Sequence, residues 1–238
     1  MDEWNLLSNI IHAYDEQNLA VRVQCSLKEQ SSLPLKIRSK QINTLQLVGS
    51  FYVAMQPFIE RSPWFVNLPP DIRRMIIQNN LSGTGSFNAI LGTIDANLSD
   101  DEIYMRNCHE IYGKDYVIEN MRFLWRVEPN RNLLKILLMT LTFSNNCSVI
   151  NLEHSSHWTP ISSFHSYHLL TIQNVFVTML WKYLVYQYGD DGAVRCFVRL
   201  VKNYLDLLLR VDANHSRQHW QMVDTIVEQT TRSSMHNY

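Results

Sequence analysis

Apolar residues recur at intervals of three and four along most of the chain, which is the spacing that places side chains on one face of an α-helix. The clearest stripe consists of Leu47, Val48, Phe51, Tyr52, Met55, Phe58 and Ile59. Pro63 should end that helix near Ser62, because proline removes a backbone donor and disfavours helix in the preceding residue. Pro69 and Pro70 are suited to begin the next helix, where a missing N–H is harmless.

The apolar pattern after Pro70 predicts a central helix that continues through two glycines. Gly83 and Gly85 interrupt the pattern, and we expect these small residues to face a neighbouring helix or a cavity. The run Leu133–Phe143 is almost continuously apolar, which by itself fits a buried strand or a buried helix. We predict a helix there, because its ending resembles a helix of the family named below.

Three further stretches complete the helical pattern. Trp4–Tyr14 has the spacing of an amphipathic helix, and Ile172–Leu184 and Phe197–Val211 have longer stripes of the same kind. Gly189–Gly192 lies between the last two stripes and predicts a turn of the chain. The chain therefore has the pattern of an all-α protein.

Composition narrows the class of protein further. The chain has 238 residues, of which 46% are hydrophobic, and contains only 7 Gly and 7 Pro, which disfavours a loop-rich or all-β protein. With a net charge of −1, the chain lacks the excess of positive charge that is typical of domains that bind nucleic acid. No apolar run is long enough for a membrane span, and the acidic start is unlike a secretory signal. The four cysteines are far apart and form no zinc-finger pair.

Segment 58–78 carries the most specific motif. Its informative residues are Phe58, Arg61, Pro63, Phe65, Leu68, Pro69 and the Ile76-Ile77 pair. At this spacing they resemble the signature of nuclear receptor ligand-binding domains. The departures are Glu60, where the signature has lysine, and Ile72-Arg73, where it has Asp-Gln. Leu133–Ser144 and Arg199–Arg210 resemble the eighth and tenth helices of that family, in the expected order.

The resemblance implies a fold, a location and a role. It implies a single domain over residues 1–238, an all-α, three-layer antiparallel α-helical sandwich of about ten or eleven helices with a small β-hairpin. A variable connector is expected at about 26–40, the hairpin within Ser99–Glu119, and a frayed tail at about 230–238. The implied role is transcriptional regulation in the nucleus, without enzymatic activity and without direct binding of nucleic acid by this domain.

A ligand pocket is the first site that the resemblance implies. It would be lined by Leu47, Val48, Phe51, Tyr52, Met55, Leu81, Gly85, Ser86, Ala89 and His219. In retinoid-type receptors an arginine of the fifth helix binds the ligand carboxylate, whereas Gly92 stands at the nearest matching position here. Without that charge-assisted hydrogen bond the ligand should be small, hydrophobic and neutral, or absent with Phe51 and Tyr52 filling the space. The alternative is that all these residues are ordinary core.

The second implied site is a groove for coactivator helices at Glu60, Phe65 and Gln78. In the family a lysine at the Glu60 position holds the C-terminal end of the coactivator helix. A carboxylate there inverts the sign of the interaction with the helix dipole. The sequence after Trp220 also lacks a recognisable activation helix. We therefore do not expect ordinary recruitment of Leu-x-x-Leu-Leu peptides.

The third implied site is a dimer interface on the helix Ala193–Val211. The predicted contacts, to a second copy or to another nuclear receptor, are Phe197, Leu200, Tyr204, Leu205, Leu207 and Leu208. This helix is apolar on more than one face, which predicts that it is buried on more than one side.

Two alternatives remain open at this point. The first is a ligand-independent dimerisation module that titrates other receptors and recruits no coactivator. The second is a helical metal-binding or enzymatic protein that uses His154, His157, His165 and His168, two His-x-x-His pairs whose spacing suits zinc. All-histidine structural sites are unusual, and no Gly-x-Ser-x-Gly or His-Glu-x-x-His motif supports catalysis, so no cofactor is predicted.

Overall fold

The computed structural model describes residues 3–32, 34, 44–144 and 163–236, and this part of the chain is helical apart from short connections. The α-helices are Glu3–Asp15 (α1), Leu19–Ser31 (α2), Thr44–Val53 (α3), Met55–Glu60 (α4), Pro63–Val66 (α5), Pro70–Asp95 (α6), Glu102–Tyr112 (α7), Lys114–Leu124 (α8), Arg131–Thr142 (α9), Ser163–Asp212 (α10) and Arg217–His236 (α11), with a 3-10 turn at Leu98–Asp100. The predicted all-α class is confirmed.

Helix α6 occupies the centre of the structure, as its glycine-interrupted pattern predicts. It packs against α3, α9, α10 and α11. Gly85 and Gly92 of this helix allow α3 to approach closely. An added Cβ would lie 2.2 Å from Cδ1 of Tyr52 at position 85 and 1.9 Å from Cε1 of Phe51 at position 92. Two large aromatic rings of α3 are therefore seated directly on the backbone of α6.

Prolines set the helix boundaries around the signature segment. Helix α4 ends at Glu60, Pro63 is the first residue of α5, and Pro70 is the first residue of α6. The single helix predicted to carry the stripe from Leu47 to Ile59 is divided by a turn at Ala54. Helices α5 and α6 therefore start where proline costs no hydrogen bond.

The β-hairpin expected within Ser99–Glu119 is wrong, because α7 and α8 occupy this segment and the described residues contain no strand. The expectation came from the resemblance, whereas the residues favour helix. Asp101 caps α7 by accepting a hydrogen bond from the backbone N–H of Tyr104, at 2.8 Å. Gly113 does turn the chain, with φ of 84°, but it joins two helices.

Two other boundaries are also corrected. The connector predicted at about 26–40 begins within α2, which continues to Ser31, and most of its remainder lies outside the described residues. The tail predicted to fray at about 230–238 is helical to His236. Its small polar residues Thr230 and Ser234 are buried on the same face of α11 as Val223 and Ile226, so polar composition there does not mean exposure.

Helix α10 changes direction at Gly189, where the predicted turn occurs. The φ of 67° at this residue belongs to the left-handed region that favours glycine. The chain resumes helix immediately, and this second part of α10 is held by Glu128, which is only 2% exposed. The Glu128 carboxylate accepts hydrogen bonds from Tyr188, from Cys196 and from the guanidinium of Arg199.

Replacing Arg199 by methionine should lower the free energy of unfolding by roughly 1–3 kcal/mol, because it leaves a buried carboxylate short of its charged partner. Burial raises the pKa of Glu128, but the hydrogen bonds from Arg199 and Tyr188 outweigh it and hold the pKa below its usual value. Stability from this carboxylate is thus present at neutral pH and lost as the pH falls through its lowered pKa. Urea unfolding of Arg199→Met beside the exposed control Arg195→Met measures the effect, and equal midpoints would contradict it.

Candidate functional site

A cavity of about 120 Å³ lies between α3, α6, α7, α8, α10 and α11. Five of the predicted pocket residues line it, namely Val48, Tyr52, Ser86, Ala89 and His219. These residues come from three separate stretches of the chain. The fold therefore brings the polar members of the predicted pocket to one place.

A chain of hydrogen bonds runs along one wall of this cavity. The hydroxyl of Ser86 donates to the carbonyl oxygen of Ser82 at 2.8 Å, so its oxygen is left to accept from the Tyr52 hydroxyl at 2.7 Å. Tyr52 in turn lies 3.3 Å from Nε2 of His219, and the Tyr112 hydroxyl lies 3.2 Å from Nδ1. With the Tyr52 proton committed to Ser86, Nε2 carries the imidazole proton and Nδ1 accepts from Tyr112.

His219 is positioned by the turn that begins α11. The Ser216 Oγ accepts a hydrogen bond from the backbone N–H of His219 at 3.4 Å, and the indole N–H of Trp220 donates to the Asn214 carbonyl at 2.8 Å. The His219 side chain is thereby directed inward, and the residue is only 6% exposed. Its burial lowers the pKa of the imidazole to about 4, so the ring is neutral at physiological pH.

The rest of the cavity wall is largely apolar, and its polar groups carry no formal charge. Among the described residues that line it there is no Lys, Arg, Asp or Glu. Burial raises the pKa of the Tyr52 and Tyr112 phenols and raises that of the Cys108 thiol to about 11, so all three stay protonated. The site therefore offers hydrogen-bond donors and acceptors in an apolar cavity without a formal charge, which suits a neutral molecule.

The other five predicted pocket residues do not line the cavity. Met55 and Leu81 are buried in the main core, and Leu47 packs against a second cluster that contains Phe51. Gly85 lies beneath the ring of Tyr52. These residues are therefore ordinary core, which was the alternative to the pocket interpretation.

Gly92 also has a structural explanation. The ring of Phe51 occupies the space that a side chain at this position would need. An arginine that reaches a ligand from position 92 would have to displace a phenylalanine with no exposed surface. The packing of α3 on α6 therefore leaves no room for a carboxylate-binding arginine at this position.

The sequence interpretation missed the wall formed by α7 and α8. Tyr104, Cys108, Tyr112 and Tyr116 line the cavity from this side. They recur every four residues, a helical spacing that is visible in the sequence. The expected hairpin hid this signal, because a four-residue spacing also places side chains on one face of a strand and so does not by itself favour helix.

The predicted coactivator groove is altered by the last turns of α11. The carboxylate of Glu60 accepts hydrogen bonds from Gln56 at 2.9 Å and from Ser234 at 3.4 Å, so the end of α11 lies against it. Gln78 is half-buried, whereas Phe65 is 1% exposed and belongs to the main core. Phe65 is thus unavailable to a peptide in this state.

The predicted dimer helix buries most of the residues that were expected to contact a partner. Leu200, Tyr204, Leu207 and Leu208 are buried inside the domain and cannot contact a partner. Leu205 is 45% exposed, and the half-buried Phe197 packs edge-on against Trp181. An outer apolar stripe, which we call the α10 stripe, consists of Val194, Val198, Val201, Leu205 and Leu209, all exposed.

The histidine alternative falls largely outside the described residues. His154 and His157 are not described, nor is the side chain of His165, and His168 is exposed. Within the described ranges no group of three or more His, Cys, Asp or Glu side chains could hold a metal ion. No helix in the same ranges combines the length and the apolar character needed to cross a membrane.

Comparison with known proteins assigns no family, since no family model matches the chain and no curated protein matches it. The site combines polar groups without formal charge and apolar surface. A neutral imidazole, a serine hydroxyl and several phenols line the cavity, and aliphatic side chains supply most of the remaining surface.

Proposed function

We propose that this chain is a regulatory domain of the nuclear receptor ligand-binding type, acting in transcription in the nucleus. In this proposal its helices form the three-layer sandwich of that family, with α6 in the middle layer. The main observation behind this proposal is that Tyr52, Ser86 and His219 line one uncharged cavity and contact one another through Tyr52. The signature segment supports it, because the helix before Pro63 ends at Glu60 and Pro70 begins α6, as its prolines predict.

The size of the cavity limits the ligand. Pockets for drug-sized molecules occupy about 300–1,000 Å³, whereas an apolar cavity of about 150 Å³ accepts benzene. A cavity of about 120 Å³ is smaller than both, so its ligand should have no more than one small ring with a neutral hydroxyl or carbonyl group. The Tyr112 oxygen, which donates its proton to His219, retains lone pairs for a donor on that ligand.

Native mass spectrometry of the purified protein tests this role. We expect a bound neutral molecule of one ring, and its loss in Ala89→Phe, which places a ring inside the cavity. Ala213→Phe, a change of the same size at an exposed residue, is the control. A bound carboxylic acid, or a ligand retained in Ala89→Phe, would contradict the proposed pocket.

The second candidate function is a ligand-independent dimerisation module. It is favoured by the small cavity and by the α10 stripe, since a continuous apolar surface on a helix usually has a protein partner. Its commonest partner in such folds would be a second copy or another receptor, and the two candidate functions are compatible in one protein.

Light scattering at tens of micromolar tests the dimer. We expect wild type to dimerise with a micromolar dissociation constant and Val198→Glu to be monomeric, because a carboxylate would be desolvated at the centre of the stripe. Val21→Glu makes the same change at an exposed valine of α2 and should remain dimeric. A monomeric wild type, or a Val198→Glu variant that still dimerises, would contradict the proposed interface.

A coactivator helix should bind weakly or not at all. Glu60 repels the C-terminal end of such a helix, and Ser234 places the end of α11 against the same carboxylate. Fluorescence polarisation of a Leu-x-x-Leu-Leu peptide should show tighter binding to Glu60→Lys than to wild type. Tight binding by wild type that the lysine leaves unchanged or weakens would refute this expectation.

A further inference from the structure

The hydrogen-bond chain along the wall of the uncharged cavity has a fixed direction, because it ends on a backbone carbonyl. The Ser82 carbonyl has no proton to donate, so its 2.8 Å contact with Ser86 Oγ must contain the Ser86 proton. The 2.7 Å contact between Ser86 and Tyr52 then contains the Tyr52 proton. A backbone group at the far end of the hydrogen-bond chain therefore decides which way each hydroxyl points.

The remaining protons of the hydrogen-bond chain follow from this end. Since Tyr52 has no further proton, its contact with His219 at 3.3 Å requires a proton on Nε2. The neutral imidazole carries only one ring proton, so Nδ1 accepts and the 3.2 Å contact with Tyr112 contains the phenol proton. Each of the four contacts thus uses the single proton of one side chain, and the Tyr112 hydroxyl has none left for a ligand.

The open end of the hydrogen-bond chain belongs to the cavity wall formed by α7 and α8. Tyr112 lines the cavity there, together with the apolar side chains of Val117, Met121 and Leu124. The Tyr112 oxygen accepts hydrogen bonds but has no proton to give, and successive hydrogen bonds in one direction polarise one another. A ligand hydroxyl would extend the hydrogen-bond chain by one more donor, whereas a ligand carbonyl would place its lone pairs against those of Tyr112.

We infer that this cavity selects ligands that donate a hydrogen bond, namely small phenols and alcohols, over carbonyl compounds of similar size. Tyr112 is the specificity-determining residue, because its oxygen accepts from the ligand hydroxyl. Ser86 is a positioning residue, because it sets the direction of the protons through Tyr52 and His219. This selection rests on the pocket of the proposed function, whose ligand could carry either a hydroxyl or a carbonyl group.

Phenol and benzaldehyde test the selection, because both have one ring and a similar size but only phenol donates a hydrogen bond. Titrations followed by NMR of methionine methyl groups should show phenol binding about tenfold more tightly, with a response at Met121 of the cavity wall. Tyr112→Phe should remove this difference by weakening the binding of phenol alone. Tyr116→Phe is the matched control, since its ring lies 5.8 Å from that of Tyr112 on the same wall, and it should keep the difference.

The direction of the protons has a separate test in the protein without ligand. Proton–nitrogen NMR spectra of the imidazole rings at neutral pH distinguish the two tautomers, and the His219 signals are identified by their loss in His219→Gln. We expect the Nε2–H tautomer in wild type. Ser86→Ala frees the Tyr52 proton for Nε2, so Nδ1 can carry the ring proton, Tyr112 can donate, and the preference for phenol should fall to within about twofold. Val48→Ala also enlarges the cavity but should change neither the tautomer nor the preference.

Three results would overturn the selection while leaving the pocket intact. They are equal affinity for the two probes in wild type, an Nδ1–H tautomer in wild type, and a preference for phenol that survives Tyr112→Phe or Ser86→Ala. Failure of both probes to bind wild type would instead contradict the pocket of the proposed function, and the selection with it. The wild-type measurements decide the question even if one of the variants does not fold.

Discussion

Gly92→Ala should destabilise the protein by roughly 3 kcal/mol, although alanine is the better helix former by about 1 kcal/mol. The reason is steric, because the new methyl group would lie 1.9 Å from Cε1 and 2.3 Å from Cδ1 of Phe51. The Phe51 ring has no exposed surface and packs among Val23, Leu98 and Tyr104, so it cannot move aside cheaply. Urea unfolding followed by circular dichroism measures the loss.

Gly49→Ala is the matched control for this change. The new methyl group at position 49 would meet the Sδ of Met222 at 3.1 Å, and a methionine side chain can adjust by a rotamer change. We expect a change in unfolding free energy within about 0.5 kcal/mol. The double variant Phe51→Leu, Gly92→Ala should recover part of the loss, because the smaller side chain makes room for the methyl group. A neutral Gly92→Ala would show that α3 and α6 are further apart than described.

Lowering the pH from 6.5 to about 4 should remove roughly 3 kcal/mol of stability through His219 alone. Burial among Tyr52, Tyr112 and Trp220 disfavours the imidazolium in the folded protein, whereas the unfolded chain binds the proton near pH 6.5. The unfolded state therefore binds more protons than the folded state throughout this interval. The contribution is complete above pH 6.5 and is lost as the pH falls toward the folded-state pKa.

His219→Gln separates this effect from the titration of carboxylates such as Glu128. Glutamine keeps a donor and an acceptor for Tyr52 and Tyr112 but does not titrate, so the difference in unfolding free energy from wild type should shrink between pH 7 and pH 4. The exposed His215, replaced by glutamine, is the control and should follow the wild-type pH profile. Parallel profiles for wild type and His219→Gln would mean that the imidazole is not desolvated.

These two expectations concern one structural arrangement. The close approach of α3 to α6 at Gly85 brings the Tyr52 ring to Ser86 and His219, and the approach at Gly92 seats Phe51 beside it. Larger residues at the two glycines would separate the helices and disperse the hydrogen-bond chain. The packing that stabilises the core is thus also what assembles the candidate site.

Periodicity and proline positions in the sequence were sufficient to predict the helical class and the helix boundaries around Pro63 and Pro70. Three- and four-residue spacing depends only on local geometry, and Pro63 and Pro70 act on the backbone of their own segment. The central helix with small residues against a neighbour was predictable for the same reason. The hairpin was expected from the resemblance and not from the residues, and α7 and α8 replace it. The frayed tail was expected from polar composition, which does not reveal that Thr230 and Ser234 face the core.

Only the tertiary structure decided which apolar faces belong to the domain's own core and which polar residues meet. Leu208 and Leu209 are adjacent and chemically identical, yet Leu208 is 5% exposed and Leu209 is 52% exposed, because one faces the core and the other faces outward. Tyr112 and His219 are 107 residues apart, and their contact depends on how α7 and α11 pack around α6. Local spacing determines a helix and its faces, whereas the neighbour of each face depends on the arrangement of the whole chain.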